Sequence, residues 1–111
     1  MADLEGDTAS VAEAEVVHAP EESRYELRLH GRLIGLAAYR LRDRRIAFTH
    51  TEVDESLEGR GFGSRLAAAA LEDAAKQGLE VVPLCPFIAY YIGQHPEYEG
   101  LVAAGYRQSP Q

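Results

Sequence analysis

Polar and apolar residues alternate along the first half of the chain, which is the pattern of half-buried β-strands. Residues 23–29 alternate in this way, and residues 14–18 form a shorter candidate strand before them. Residues 33–41 are apolar enough for an inner strand, with Gly35 as a candidate bulge, and residues 45–53 form the next strand. Short polar turns separate these segments, so the sequence predicts an antiparallel meander.

The second half of the chain changes to helical periodicity. Residues 62–77 place apolar side chains on one stripe, and Gly78 follows as the expected stop. Residues 79–84 predict a short buried strand, parallel to the preceding strand if the connection is a right-handed crossover. A second helix is expected over residues 87–94, and the tail at 101–107 is expected to add a helical turn and a strand. The predicted fold class is α/β (α+β), a mixed sheet in which an antiparallel meander is followed by strand, glycine loop, helix, strand and helix.

Charge divides the chain into an acidic leader and a balanced domain. The 111 residues carry a net charge of −7, and residues 1–22 hold seven acids and no lysine or arginine. The remaining residues balance eleven acids against eleven bases. We therefore expect residues 1–11 to be a disordered acidic leader and residues 12–111 to form one domain with a single core.

The same features set expectations for partners and location. Seven of the eleven bases lie within residues 24–45. They form either the solvated face of a strand pair or a basic face that binds an anion. The neutral domain argues against nucleic acid, and no apolar run approaches the roughly eighteen residues of a membrane span. The single cysteine favours the cytoplasm, and the scattered histidines predict no metal site. A monomer or weak dimer is expected.

A glycine-rich turn lies between a predicted strand and a predicted helix and has the sequence Glu58-Gly59-Arg60-Gly61-Phe62-Gly63. Glycine has no Cβ, so backbone N–H groups can close around an anion, and the helix N-terminus adds positive dipole. The spacing differs from the dinucleotide pattern G-x-G-x-x-G, and Ser64-Arg65 stands where a nucleotide-triphosphate loop has Lys-Ser/Thr. The turn predicts a phosphorylated ligand held by backbone amides, with a tight turn lacking a ligand as the alternative.

The glycine turn is one of several motifs in order along the chain: His50-Thr51-Glu52-Val53 precedes it, and Pro83-Leu84-Cys85-Pro86-Phe87 and Tyr91-Ile92-Gly93-Gln94-His95-Pro96-Glu97-Tyr98 follow it. Over residues 12–108 these motifs resemble the GNAT superfamily of acetyl-CoA-dependent acyltransferases, and in particular its small single-domain members of the YjdJ type. The superfamily motif is a valine at a strand end, then Gln/Arg-x-x-Gly-x-Gly/Ala. Val53 and the glycine turn match it in position, and Glu58 departs from it.

The resemblance implies a GNAT-like N-acetyltransferase domain that uses acetyl-CoA as cosubstrate and transfers acetyl to an amine of a small molecule or protein. It implies that pantetheine lies along the strand end at Val53. It also implies that the CoA pyrophosphate lies on five backbone amides, those of Gly59, Arg60, Gly61, Phe62 and Gly63. The alternative is a non-catalytic CoA- or acyl-CoA-binding module that acts as a sensor or partner of another protein.

Cys85 is expected at the carboxyl end of the second parallel strand, where ligands gather in open α/β sheets. Together with the resemblance, this position puts its thiol close to the acetyl thioester. Three roles stay open: a nucleophile that takes acetyl from CoA, a small buried hydrophobic residue, and a pocket wall in a direct transfer. The nucleophile role requires a neighbouring group that favours the thiolate.

His50 and Glu52 are the candidate general bases. Residues two apart on a strand share a face, so the pattern predicts one face made of Ile46, Phe48, His50 and Glu52. A base at its loop end can deprotonate an incoming ammonium, directly or through water. Glu52 is the first candidate, because superfamily members place such a base near it, and His50 is the second. The alternative is a hydrogen-bonded buried His50 and a Glu52 that is a rim charge or salt-bridge partner.

Four residues near the second helix are weaker candidates for a role in ligand binding or catalysis. His95 precedes Pro96, so it is expected to cap that helix, with a role in orienting Cys85 as the alternative. The tyrosines are candidates for pocket residues or for proton donors to a departing CoA thiolate, with core packing as the alternative: Tyr90, Tyr91 and Tyr98.

Overall fold

The structure, a computed structural model, describes residues 10–107. Its strands and longer helices are, in chain order, β1 (Ala14–Ala19), β2 (Arg24–Leu29), β3 (Arg32–Arg42), β4 (Arg45–Val53), α1 (Phe62–Lys76), β5 (Glu80–Pro83) and α2 (Pro86–Gln94). The five strands form one sheet in the order β1-β2-β3-β4-β5. All neighbours are antiparallel except the pair β4–β5, which is parallel. The predicted fold class and order of elements are confirmed.

Helix α1 lies across one face of the sheet and contacts all five strands. The apolar stripe that the periodicity predicts is buried, with four residues at most 1% exposed: Phe62, Leu66, Ala70 and Ala74. Gly78 follows the helix with a φ of 71°, and its N–H donates to the Ala75 carbonyl. Only glycine adopts this left-handed conformation without strain, so Gly78 ends the helix as expected.

A register shift between β2 and β3 places an extra residue on β3. Leu27 and Arg28 of β2 lie opposite Gly35 and Leu33, so Ile34 has no partner. The bulge predicted at Gly35 therefore lies one residue earlier, at Ile34. An extra residue increases the local twist of the strand.

A second register shift lies on β4, where Thr49 has no partner opposite it on β3. An extra residue reverses the alternation of side chains beyond it. Ile46 and Phe48 are buried in the core, whereas the side chains of His50 and Glu52 are 58% and 63% exposed. The prediction that these four side chains share one face is therefore wrong. His50 and Glu52 lie on the opposite face of the sheet from α1.

The two ends of the described chain differ from the sequence expectation in different ways. Residues 1–9 of the predicted leader lie outside the described residues, and the boundary between leader and domain stays a prediction. Val11 is described, begins a 3-10 helix (Val11–Glu13) and packs against the core. The strand expected in the tail is reduced to one parallel bridge between Val81 and Val102.

No helix within residues 10–107 is long and apolar enough to cross a membrane.

Candidate active site

The glycine turn leaves the N-terminus of α1 open. Gly59 and Gly61 have φ angles of 80° and 90°, which residues with a Cβ rarely adopt. Gly61 is the N-cap of α1, and no side chain of residues 10–107 caps this end. The first intrahelical bond runs from the Arg65 N–H to the Gly61 carbonyl (3.1 Å), so the amides of residues 62–64 remain for a ligand. The helix dipole makes this a favourable place for an anion.

A cavity of about 400 Å³ opens in front of this turn. It is lined by the turn, the end of β4 and the start of α2: Thr51, Val53, Glu58, Gly59, Gly61, Gly63, Ser64 and Phe87. Gly63 allows α1 to lie against the Phe87 ring, because a Cβ at that position would lie 3.0 Å from Phe87 Cζ. The cavity has the volume of a small-molecule site and joins the open helix end to β4.

Two charged side chains flank the turn. Glu58, the departure from the superfamily motif, adds an acidic group to the cavity wall and opposes an anion there. The Arg60 guanidinium carbon lies 5.9 Å from the centroid of the Phe62 ring, which is a cation–π distance. The turn therefore presents both signs of charge on its side chains, so a preference for an anion would have to come from its backbone amides.

Strands β4 and β5 separate beside the cavity. Their parallel pairing ends at Phe48 and Pro83, and the last link is the hydrogen bond from the Cys85 amide to the Phe48 carbonyl (2.8 Å). Beyond this point β5 gives way to α2, whereas β4 continues to Val53 paired with β3. One edge of residues 49–53 is therefore not covered by β5. Such an edge offers backbone groups to an extended ligand.

The Cys85 thiol is buried at this separation. Cys85 is 3% exposed and is the N-cap of α2, with Pro86 at the first helical position. Its thiol donates a hydrogen bond to the Thr51 hydroxyl, with 3.3 Å between Sγ and Oγ1. Thr51 lines the cavity, so one hydroxyl group connects the thiol to it. Sequence reasoning missed Thr51, because strict alternation gave no reason to place it beside Cys85.

His50 and Glu52 form a separate pair on the open face of the sheet. Only 2.6 Å separates His50 Nε2 from Glu52 Oε2. Their neighbours on β3 are Ala38 and Leu36, so the pair stands beside small and apolar side chains. The structure brings the two candidate bases together. Within residues 10–107, however, the hydrogen-bond partner of the Cys85 thiol is the Thr51 hydroxyl and neither of these groups.

Residues 24–101 match a family model described as GCN5-related N-acetyl-transferase. The chain belongs to this family, GNAT. Protein NATD1 from Mus musculus is 31% identical to it over 84 residues, which are 73% of this chain and 76% of the mouse protein. Protein NATD1 from Homo sapiens is also 31% identical over 84 residues, which are 73% of this chain and 74% of the human protein.

Two solved structures are similar to this GNAT chain in fold. A GCN5-like protein from Staphylococcus aureus, solved by NMR, aligns with a TM-score of 0.64 and 22% identity over 83% of this chain and 90% of its own. A ribosomal-protein-alanine N-acetyltransferase from Brucella melitensis aligns with a TM-score of 0.53 and 20% identity over 79% and 66%. The chain therefore contains a GNAT N-acetyltransferase domain with the GNAT fold.

His95 of this GNAT protein sits at the end of α2. Its Nδ1 lies 2.9 Å from the Tyr91 carbonyl, which accepts the bond, and its ring stacks on Tyr91 with centroids 3.9 Å apart. Its backbone N–H donates to the Ile92 carbonyl. These contacts describe the capping role expected for His95. They involve α2 itself and give no contact with the Cys85 thiol.

The tyrosines differ in exposure and acidity. Burial raises the pKa of Tyr91, and burial together with a hydrogen bond to Glu72 raises the pKa of Tyr98 to about 12. Both are therefore weaker acids than an ordinary phenol, which favours a packing role over proton donation. Tyr90 is 66% exposed on the outer side of α2.

Among residues 10–107, no three His, Cys, Asp or Glu side chains cluster as metal ligands.

Proposed function

We propose that this protein transfers an acetyl group from acetyl-CoA to an amine. The observation that carries the proposal is the single cavity that joins the open N-terminus of α1 to the uncovered edge of β4. Its turn end presents Gly59, Gly61 and Gly63, and its strand end presents Val53 and Thr51. A ligand that is anionic at one end and extended at the other matches both ends. Acetyl-CoA is such a ligand, and it is the cosubstrate expected for the family.

The residues of the turn fit the pyrophosphate of CoA. Gly59 and Gly61 hold left-handed backbone conformations just before the helix, and turns of this kind form backbone concavities that bind anions. We infer that the pyrophosphate is bound by the backbone amides from Gly59 to Gly63. The amides of a pantetheine chain then pair with the edge of β4 near Val53. This arrangement directs the thioester towards Thr51 and Cys85.

Acetyl transfer through Cys85 is a two-step route. The Cys85 sulfur bonds to the acetyl carbon while the bond from that carbon to the CoA sulfur breaks, and the thiol proton leaves with CoA. The acceptor amine then bonds to the acetyl carbon, releases the Cys85 sulfur and returns a proton to it. In a direct route the amine attacks acetyl-CoA itself, and Cys85 is part of the pocket wall.

His50 and Glu52 are proposed to receive the acceptor on the open face of the sheet. Both side chains are more than half exposed, and their 2.6 Å contact lets them share a proton. A carboxylate there attracts a cationic ammonium, and a base in the pair takes a proton from it so that the neutral amine can attack the acetyl carbon. The acceptor is then an amine of a small molecule or protein. The cytoplasmic location and the monomer or weak dimer stay predictions.

Thermal unfolding with CoA tests the proposed phosphate site. A ligand present at about one hundred times its dissociation constant stabilises a protein by about 2.7 kcal/mol. We expect this stabilisation for the unmodified protein and its loss in Gly61→Asp, which puts a carboxylate where the pyrophosphate binds. Gly61→Asn is the matched control, because it has the same size and the same φ of 90° without the charge. An undiminished CoA shift in Gly61→Asp, or no shift for the unmodified protein, would refute the site.

Mass spectrometry with acetyl-CoA alone tests the covalent route. Cys85 is the only cysteine, so an acetyl adduct that hydroxylamine removes and that Cys85→Ala lacks identifies the acetyl thioester. If transfer is direct, Cys85→Ala keeps substantial turnover and Glu52→Gln loses more. Acetyl-CoA binding with no adduct and no turnover on any amine tested favours the non-catalytic acyl-CoA-binding module.

A further inference from the structure

Thr51 stands between the Cys85 thiol and the cavity. Its hydroxyl accepts the hydrogen bond from the thiol at 3.3 Å, and this is its only hydrogen bond among residues 10–107. A hydroxyl that accepts one bond still has its own proton to donate. Because Thr51 lines the cavity, that proton is left for a group bound there.

The backbone on both sides fixes this contact. Thr51 lies opposite Ala37 of β3, a residue that is fully buried, so its strand is held in the sheet. Cys85 is held by the hydrogen bond from its amide to the Phe48 carbonyl at 2.8 Å. The unpaired Thr49 two residues earlier gives Thr51 its orientation. The thiol and hydroxyl therefore meet through rigid elements rather than through mobile loops.

Thr51 is also the polar side chain at the strand end of the cavity. The other polar side chains of the lining, Glu58 and Ser64, belong to the glycine turn and the start of α1. Next to Thr51 the lining continues with Val53, which offers no side-chain hydrogen bond. At the strand end of the lining, where its hydroxyl contacts Cys85, Thr51 therefore supplies the side-chain donor for a bound carbonyl group.

We propose that Thr51 holds the Cys85 thiol and donates its own proton to the acetyl carbonyl oxygen of bound acetyl-CoA, a role that rests on the proposed function above. The hydroxyl then distinguishes acetyl-CoA from free CoA, which lacks this carbonyl. When the thioester carbon is attacked, its oxygen gains negative charge and the hydrogen bond from Thr51 strengthens. The same donor serves attack by the Cys85 sulfur and attack by an amine.

Calorimetric binding of CoA and acetyl-CoA tests the donor. In Thr51→Val we expect acetyl-CoA to bind about two- to tenfold more weakly, the size of one net hydrogen bond, with CoA unchanged. Thr51→Ser keeps the hydroxyl and is expected to restore acetyl-CoA binding. Tyr106→Phe is the control, because it removes an exposed hydroxyl that is not part of the cavity lining, and we expect it to alter neither affinity.

Infrared spectroscopy of the free protein tests the contact with the thiol. The single cysteine gives one S–H stretching band, which Cys85→Ala assigns by removing it. Loss of the hydrogen bond in Thr51→Val is expected to move this band to higher frequency, whereas Thr51→Ser and Tyr106→Phe leave it in place. This readout needs no ligand and no acceptor amine.

The outcomes separate this inference from the proposed function. Equal weakening of CoA and acetyl-CoA in Thr51→Val, or no weakening of either, overturns the donor role while the CoA site stands. An unmoved S–H band overturns the contact with Cys85. If the unmodified protein binds neither ligand, the proposed function fails and the donor role with it. Should Thr51→Val not unfold cooperatively, Thr51→Ala takes its place in both experiments.

Discussion

Gly35 lets β3 and β4 lie close together beside the cavity, and Gly35→Ala is predicted to push them apart. Gly35 is paired with Leu27 on one side and with Val53 on the other. A Cβ on Gly35 would lie 2.8 Å from the Glu52 carbonyl oxygen and 3.4 Å from Val53 Cγ2. The first distance is shorter than Cβ contacts in real proteins, and the obstacle is backbone. The strands must therefore move to admit the methyl group.

The cost follows from what has to move. Overpacking a well-packed site costs about 1–3 kcal/mol, and sites that require backbone shifts lie at the upper end. The Glu52 carbonyl belongs to a strand held on both sides of that residue by β3, so rotation of a side chain cannot relieve the contact. We expect a loss of about 2–3 kcal/mol in the free energy of unfolding. At about 4 °C per kcal/mol for a domain of this size, Tm falls by about 8–12 °C.

Thermal unfolding followed by circular dichroism, with and without CoA, measures both consequences. Gly100→Ala is the matched control, because a Cβ on Gly100 meets nothing within 4 Å, and its Tm is expected to stay the same or rise slightly. Since Val53 lines the cavity, the strand shift in Gly35→Ala is also expected to reduce the stabilisation by CoA. Equal Tm values for the two alanine variants would contradict the close approach. An undiminished CoA effect would contradict its link to the cavity.

Two further predictions concern titratable groups away from the cavity. Tyr25→Phe should lower the free energy of unfolding by about 1–2 kcal/mol at pH 7, because the Tyr25 hydroxyl donates to Asp73 at 2.6 Å. Burial and this bond raise the pKa of Tyr25, so its contribution to stability is intact below about pH 10 and declines above it. Urea unfolding at alkaline pH should therefore show a smaller loss of stability for Tyr25→Phe than for the unmodified protein. Hydrogen bonds from Arg24 and Arg28 lower the pKa of Glu26, so its contribution is present above the ordinary glutamate value of 4.5 and is lost as pH falls. Glu26→Gln should therefore destabilise more at pH 7 than in acid, measured by urea unfolding.

Local signals explain the parts of the fold that the sequence predicts well. The stripe on α1 depends on spacing within one helix, and Gly78 marks the helix end because its conformation excludes other residues. The glycine turn is visible for the same reason, since Gly59 and Gly61 both take positive φ angles. The order of the elements and the position of the open helix end therefore follow from residues that are close together in the sequence.

The side-chain arrangement on β4 depends on contacts that the sequence does not mark. Thr49 is an ordinary strand residue, and its lack of a partner follows from how β4 fits between β3 and β5. The bond from Cys85 to Thr51 joins residues 34 apart, and the bond from Tyr25 to Asp73 joins residues 48 apart. Periodicity within one strand carries no information about such long-range contacts, so the alternation argument assigned His50 and Glu52 to the wrong face of the sheet.

The bulge at Thr49 has a consequence for the proposed reaction. Beyond it, Thr51 and Val53 face the cavity, whereas His50 and Glu52 face the open side of the sheet. Had β4 stayed paired with β5 along its whole length, these two sides would be separated by a continuous sheet. The strands instead part after Phe48, and the edge of β4 between the two sides is left uncovered by β5. In the proposed reaction, an acetyl group held at Thr51 would meet an amine held at Glu52 across this edge, because β4 and β5 part close to the bulge that reverses the faces of β4.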